Sequence, residues 1–106
     1  MKIIIKFTGV DSTSAITEFI EEKIGGIAKF IKRWDTDSAI EAQVEIARTT
    51  THHHKGDVFR AEVNLHLPGK SLRAEHTDWD MRVAIDKARD RLQAEVKKYK
   101  ELRTKE

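Results

Sequence analysis

The sequence predicts an α+β fold. A four-stranded mixed sheet carries two helices on one face, as a two-layer sandwich in the order β-α-β-β-β-α. Three observations predict it. Segments of the chain alternate apolar and polar residues with the period of a strand. Two other segments repeat their apolar residues at helical spacing. Each alternating segment has a single apolar side, so both helices have to cover the same face of the sheet.

Residues 2–8 form the first predicted strand, with Ile3, Ile5 and Phe7 on one face and Ile4 on the other. Gly9 ends it, and Asp11, Ser12 and Thr13 offer side-chain oxygens to cap a helix. Ala15, Ile16, Phe19, Ile20, Ile24, Ile27 and Ile31 then make one apolar stripe. Gly25 and Gly26 interrupt it, and each costs about 1 kcal/mol relative to Ala inside a helix. They predict a bend, or a close approach of the helix to the sheet. Residues 34–38 read as a loop. Residues 39–48 alternate, with Ile40, Ala42, Val44 and Ile46 opposed by Glu41, Gln43 and Glu45.

A polar connection over residues 49–56 contains His52, His53 and His54. Residues 58–67 alternate again, with Phe59, Ala61, Val63, Leu65 and Leu67 on the apolar side. Pro68-Gly69-Lys70 has the chemistry of a hairpin turn. Leu72, Ala74 and His76 mark the fourth strand. Thr77 or Asp78 is placed to cap a final helix running to about Leu102, buried along Met81, Ala84, Ile85, Ala88, Leu92, Val96 and Tyr99. The helical connection between the first two strands allows them to pair in parallel, and the remaining strands form an antiparallel meander.

The 106 residues make one domain, residues 1–106, with no repeat and no linker dividing it. Charged residues are 36% of the chain and hydrophobic ones 39%, the balance of a well-solvated protein. No apolar run reaches the roughly 18 residues of a spanning helix. Charge returns at Lys6, too early for the apolar region of a leader peptide. The absence of cysteine excludes disulfides, thiolate metal sites and cysteine nucleophiles. A cytoplasmic, non-enzymatic protein is the expectation, free of membrane, cofactor and small-molecule substrate, and a monomer when unbound.

The formal net charge of +2 is small, so the distribution of charge matters more than its sum. Lys and Arg concentrate on the final helix and around residues 29–33. Arg82, Arg89, Lys97 and Lys100 are expected on the solvated side of the final helix, flanked by Lys87, Arg91 and Lys98, with Lys23, Lys29, Lys32 and Arg33 on the first helix bordering the same groove. Such a face releases counterions when it neutralises RNA phosphates. The competing interpretation is an ordinary solvated face, because Asp86, Asp90, Glu95 and Glu101 are interspersed at ion-pairing distances. Three adjacent histidines on an extended chain cannot converge on one ion, so His52–His54 read as a polar hairpin tip, and no metal site is predicted. Asp78 and Asp80 near His76 resemble acid–base groups but sit where carboxylates favour a helix N-terminus. No catalytic residue is predicted, and neither a phosphate loop nor a nucleophile elbow is present. Trp34 and Trp79 are expected to pack over the edge of the core rather than to stack on bases.

Residues 13–16 (Thr-Ser-Ala-Ile), 18–20 (Glu-Phe-Ile), 23–24 (Lys-Ile), 69–75 (Gly-Lys-Ser-Leu-Arg-Ala-Glu) and Asp80-Met81 with Ala84-Ile85-Asp86, followed by Lys-Lys-Tyr-Lys at 97–100, resemble the ribosome hibernation promoting factors. These are also called ribosome-associated inhibitors or sigma-54 modulation proteins. The resemblance covers nearly the whole chain and is to the short form of the family, without a dimerisation domain or an extended acidic tail.

It implies a fold similar to double-stranded RNA-binding domains. It also implies docking on ribosomal RNA of the small ribosomal subunit, in the channel used by transfer and messenger RNA, with inhibition of translation in stress or stationary phase. Lys23, Lys29, Arg91, Lys98 and Lys100 match the basic positions of such proteins, whereas Thr17, Gly26 and Ala94 stand where the family often has a basic residue. The alternatives are a generic structured-RNA-binding module and a histidine-dependent metal-binding hydrolase.

Overall fold

A computed structural model describes residues 1–36, 39–49 and 58–104. Strand β1 spans Lys2–Thr8, helix α1 Ser14–Gly25, the one-turn helix α2 Ala28–Ile31, and a 3-10 turn Lys32–Trp34. Strands β2 (Glu41–Thr49), β3 (Val58–Leu67) and β4 (Lys70–Asp78) follow, then helix α3 (Met81–Thr104). The sheet order is β1-β2-β3-β4. β1 and β2 pair in parallel, with Ile5 opposite Val44, and the other pairs are antiparallel. This is the predicted mixed four-stranded sheet.

One face of the sheet and the apolar stripes of the helices close a single core. Ala42, Val44 and Ile46 of β2, Ala61, Val63, Leu65 and Leu67 of β3, and Leu72 and Ala74 of β4 are buried with Ile16, Ile20, Ile24, Ile27 and Ile31. From α3 the buried residues are Ala84, Ile85, Ala88, Leu92, Val96 and Tyr99, with Met81 packed at the margin. The predicted stripes therefore hold, except that Ala15 is exposed and Phe19 only half-buried. Ala15 and Phe19 fall at the edge of the stripe that Ile16, Ile20 and Ile24 centre on the core.

Local chemistry sets the element ends. Thr13 Oγ1 accepts from Ile16 N at 3.2 Å and caps α1. The glycine pair ends α1 and separates it from α2. A Cβ on Gly25 would meet Ile3 Cδ1 at 3.9 Å, an ordinary contact, so the pair reflects a break and not a forced close approach. The predicted loop at Trp34 begins one residue later, because Trp34 closes the 3-10 turn. The cap of α3 is Asp80 instead of Thr77 or Asp78, because both of those are still paired in β4. Asp80 Oδ1 accepts from Arg82 N at 2.8 Å and Val83 N at 3.4 Å, and Asp78 Oδ1 in turn accepts from Asp80 N at 3.0 Å.

Leu67 pairs with Lys70, leaving Pro68-Gly69 as the turn, with Gly69 at φ 75°. The Pro68 carbonyl accepts from Tyr99 OH at 3.2 Å and Arg103 Nη2 at 2.9 Å, which ties this hairpin to the last turns of α3. Trp34 packs edge-on against Tyr99, with ring centroids 5.4 Å apart. Trp79 departs from the expected packing and is 57% exposed, because the β4–α3 joint carries it beyond the end of the sheet.

Candidate nucleic-acid interface

Helix α3 carries eight Lys and Arg residues against four Asp and Glu. With its apolar stripe on the sheet, the cations distribute over two flanks. Arg82 lies over the Phe19 ring of α1 at 5.6 Å, and Lys100 over the Phe30 ring of α2 at 5.7 Å. Lys97 lines the groove beside Phe30. These three belong to the flank that faces α1 and α2. Arg91 belongs to the other flank, where its guanidinium donates to the Glu75 carbonyl of β4 at 2.7 Å. Lys87 and Lys98 share that side by helical spacing. Lys98 is ion-paired with Glu95 at 3.6 Å across one turn.

The structure thus divides the predicted residues. Arg89 is a partial correction to the solvated side, since only 28% of its side chain is exposed. It donates to Asp90 at 2.9 Å and approaches Asp86 at 3.7 Å. Asp86 Oδ1 is buried without a hydrogen bond, and Lys23 Nζ of α1 stands 3.6 Å from it. Lys23 therefore ties α1 to α3 by charge across a half-buried carboxylate, while Arg89 pairs within α3, and both are less available to a partner than their residue types suggest. Lys29 is exposed and sits over Phe30 at 5.2 Å.

Between α2 and α3 runs a groove of about 610 Å³, floored by Phe30, Ala94 and Val96 and rimmed by Lys97, Lys100, Asp90 and Glu101. Phe30 was not among the predicted site residues. Its signal in the sequence was an aromatic side chain set directly among Lys29, Lys32 and Arg33. Gly26 and Ala94, two of the expected departures from the family's basic positions, are both exposed.

The opposite face of the sheet is different in kind. β1 contributes Lys2 and Lys6, β2 Glu41 and Glu45, β3 Arg60 and Glu62, and β4 Arg73 and Glu75, so opposite charges balance. Glu45, Glu62 and Glu75 form one row across three strands. Arg60 reaches all three, at 3.2 Å, 2.7 Å and 3.3 Å respectively. Arg73 donates to Glu62 at 2.8 Å and Glu75 at 3.3 Å. Burial alone would push Glu62 up, but the Asn64 amide and the two guanidiniums hold its carboxyl below the ordinary range. Burial would likewise push Arg60 down, and the surrounding glutamates outweigh it and raise it.

The isolated histidines do not converge. His66 lies on the open face, hydrogen-bonded through Nδ1 to Ser71 Oγ at 2.7 Å, whereas His76 has core-face parity and stands 3.8 Å from Asp78. His52–His54 lie outside the described residues. Among the described residues no group of three or more His, Cys, Asp or Glu side chains is placed to hold a metal ion. No helix among them is long and apolar enough to cross a membrane.

Fold and charge together define a class: a small two-layer α+β protein with a cationic helical surface backed by a charge-balanced sheet. Residues 3–104 match the family model described as sigma 54 modulation protein / S30EA ribosomal protein, and the chain belongs to that family.

It is 34% identical to a ribosome hibernation promotion factor of Deinococcus radiodurans, over 86% of this chain and 44% of the relative. It is 32% identical to one of Lactococcus lactis, over 94% of this chain and 50% of the relative. The chain thus spans about half the length of these curated relatives. Among solved structures it is similar to the N-terminal domain of Thermus thermophilus Protein Y, with a TM-score of 0.74 and 29% identity, covering 93% of this chain and 99% of that one. A ribosomal subunit interface protein from Coxiella burnetii shares the fold, with a TM-score of 0.70 at 22% identity over 94% of this chain and 98% of that one.

Proposed function

We propose that this chain is a non-enzymatic ribosome hibernation factor. It binds ribosomal RNA of the small subunit in the channel for transfer and messenger RNA, and blocks translation there by occupancy during stress or stationary phase. The observation that supports this best is the asymmetry of charge. The eight-to-four cationic excess of α3 lies on the helical side, while the sheet face is balanced. A rigid helix presenting ammonium and guanidinium groups at turn spacing suits recognition of RNA shape through phosphates more than recognition of sequence.

Lys29, Arg82, Lys87, Lys97, Lys98 and Lys100 are the proposed phosphate contacts. Lys23, Arg89 and Arg91 are proposed to reach RNA secondarily: Lys23 and Arg89 are half-buried beside Asp86, and Arg91 is held by the Glu75 carbonyl. The names of the curated relatives support a ribosomal partner.

Sedimentation with ribosomes tests the reading. Reversal of Lys97 and Lys100 to Glu, and separately of Lys87 and Lys98, is expected to weaken co-sedimentation by at least tenfold each. Reversal of Lys2 and Lys6 on the sheet face is expected to leave it unchanged. Folded helix variants that pellet with ribosomes as well as the native protein would exclude this surface.

A further inference from the structure

Phosphate contacts need only cations, yet the groove between α2 and α3 has an apolar floor. Phe30 is half-buried, with its other part facing the groove, and Ala94 beside it adds no bulk. Lys29 and Lys100 approach the Phe30 ring at 5.2 Å and 5.7 Å. Lys97 stands on the rim, and Asp90, Gln93 and Glu101 bring acceptors and one amide to the same edge. At about 610 Å³ the groove lies in the size range of small-ligand pockets.

We infer that this groove accepts one unstacked nucleotide, with its base against Phe30 and its flanking phosphates on Lys97, Lys100 and Lys29. The inference deepens the proposed RNA-binding role and rests on it. The chemistry favours a nucleotide over an apolar protein side chain. Three ammonium groups surround the floor against two carboxylates on the rim, so a purely apolar occupant would leave a cationic excess facing it, whereas a nucleotide supplies both a flat π-face and anionic oxygens. Aromatic stacking is tolerant of base identity because every base has a π-face. The carboxylates and the Gln93 amide are at the edge, where exocyclic amino groups and ring N–H groups of a base would present themselves.

The test uses Phe30→Leu, which keeps apolar volume but removes the π-face, and Phe30→Trp, which restores one. Thermal unfolding first establishes that both are folded. Ribosome affinity is then measured over a salt series, together with fluorescence of a short unstructured RNA containing 2-aminopurine, a base whose emission is quenched on stacking. Phe30→Leu is expected to bind ribosomes about 5- to 100-fold more weakly with an unchanged salt slope, because stacking releases no counterions. It is also expected to lose the quenching seen with the native protein, and Phe30→Trp to keep both. Unchanged ribosome affinity in folded Phe30→Leu overturns the inference, while charge-reversal variants that still lose binding would leave the RNA surface standing. Lack of quenching by the native protein, with ribosome binding lost in Phe30→Leu, also overturns it and assigns the groove to a protein contact.

Discussion

Glu62 accepts from Arg60 at 2.7 Å, Arg73 at 2.8 Å and Asn64 at 2.9 Å, all on the open face of the sheet. Three donors satisfy both oxygens of one carboxylate, and only 16% of its side chain remains exposed. Without them, burial would raise its pKa; with them it is lowered from the ordinary 4.5. A carboxyl depressed in the folded state stabilises the fold above its unfolded value and loses that contribution as pH falls through it toward the folded value. Glu62→Gln is therefore expected to cost about 1–2 kcal/mol at neutral pH, since partial exposure screens the charges. The two unfolding curves should converge on the acid side of 4.5. Urea titrations of both proteins across that range check this. Some acid sensitivity should persist in the variant, because the hydrogen bond with the Met1 ammonium lowers Asp35 in the same direction.

Elements in this chain end where their chemistry changes, and the break between α1 and α2 is the instructive case. Gly26 has φ −61° and ψ −21°, a conformation open to every L-residue. A Cβ there would meet the Glu22 and Lys23 carbonyl oxygens at 3.5 Å, an ordinary contact. Gly26→Ala should therefore stabilise the protein by about 0.4–1 kcal/mol, chiefly by restricting the unfolded chain. A raised denaturation midpoint with an unchanged slope is the expected result. A fall would show that the break itself is needed to seat α2 and Phe30. The long α3 depends less on any one end. It is anchored at its start by the Asp80 cap and near its end by Tyr99 and Arg103 on the Pro68 carbonyl.

At the scale of the molecule, the two layers differ in charge. The sheet face neutralises its own charges, so the field outside it is weak, while the helical side keeps an excess of cations. If about five of those cations meet phosphates, log affinity for ribosomes should fall linearly with log salt, with a slope of about −3 to −5. The measurement is an affinity series at fixed magnesium, which keeps the subunits intact. A slope near zero would assign the contact to apolar protein surface instead.

Hydrophobic period alone determined the strands, their buried sides, the two helical stripes and their assignment to one face of the sheet. That information is local, because a side chain two residues along a strand, or three to four along a helix, must return to the same side. The Ala84–Tyr99 stripe is legible for that reason. The basic character of α3 was legible too, since charge is a property of composition.

Which cations are free was decided only in three dimensions. Lys23 meets Asp86 across two helices, and Arg91 meets a β4 carbonyl sixteen residues back. Partners so distant in sequence leave no periodic trace. The cap at Asp80 was obscured by how far β4 extends, which pairing with β3 sets. The groove at Phe30 is tertiary in the same sense. Its floor and its rim come from helices joined through the whole sheet, so only their packing brings an aromatic ring and three lysines to one place.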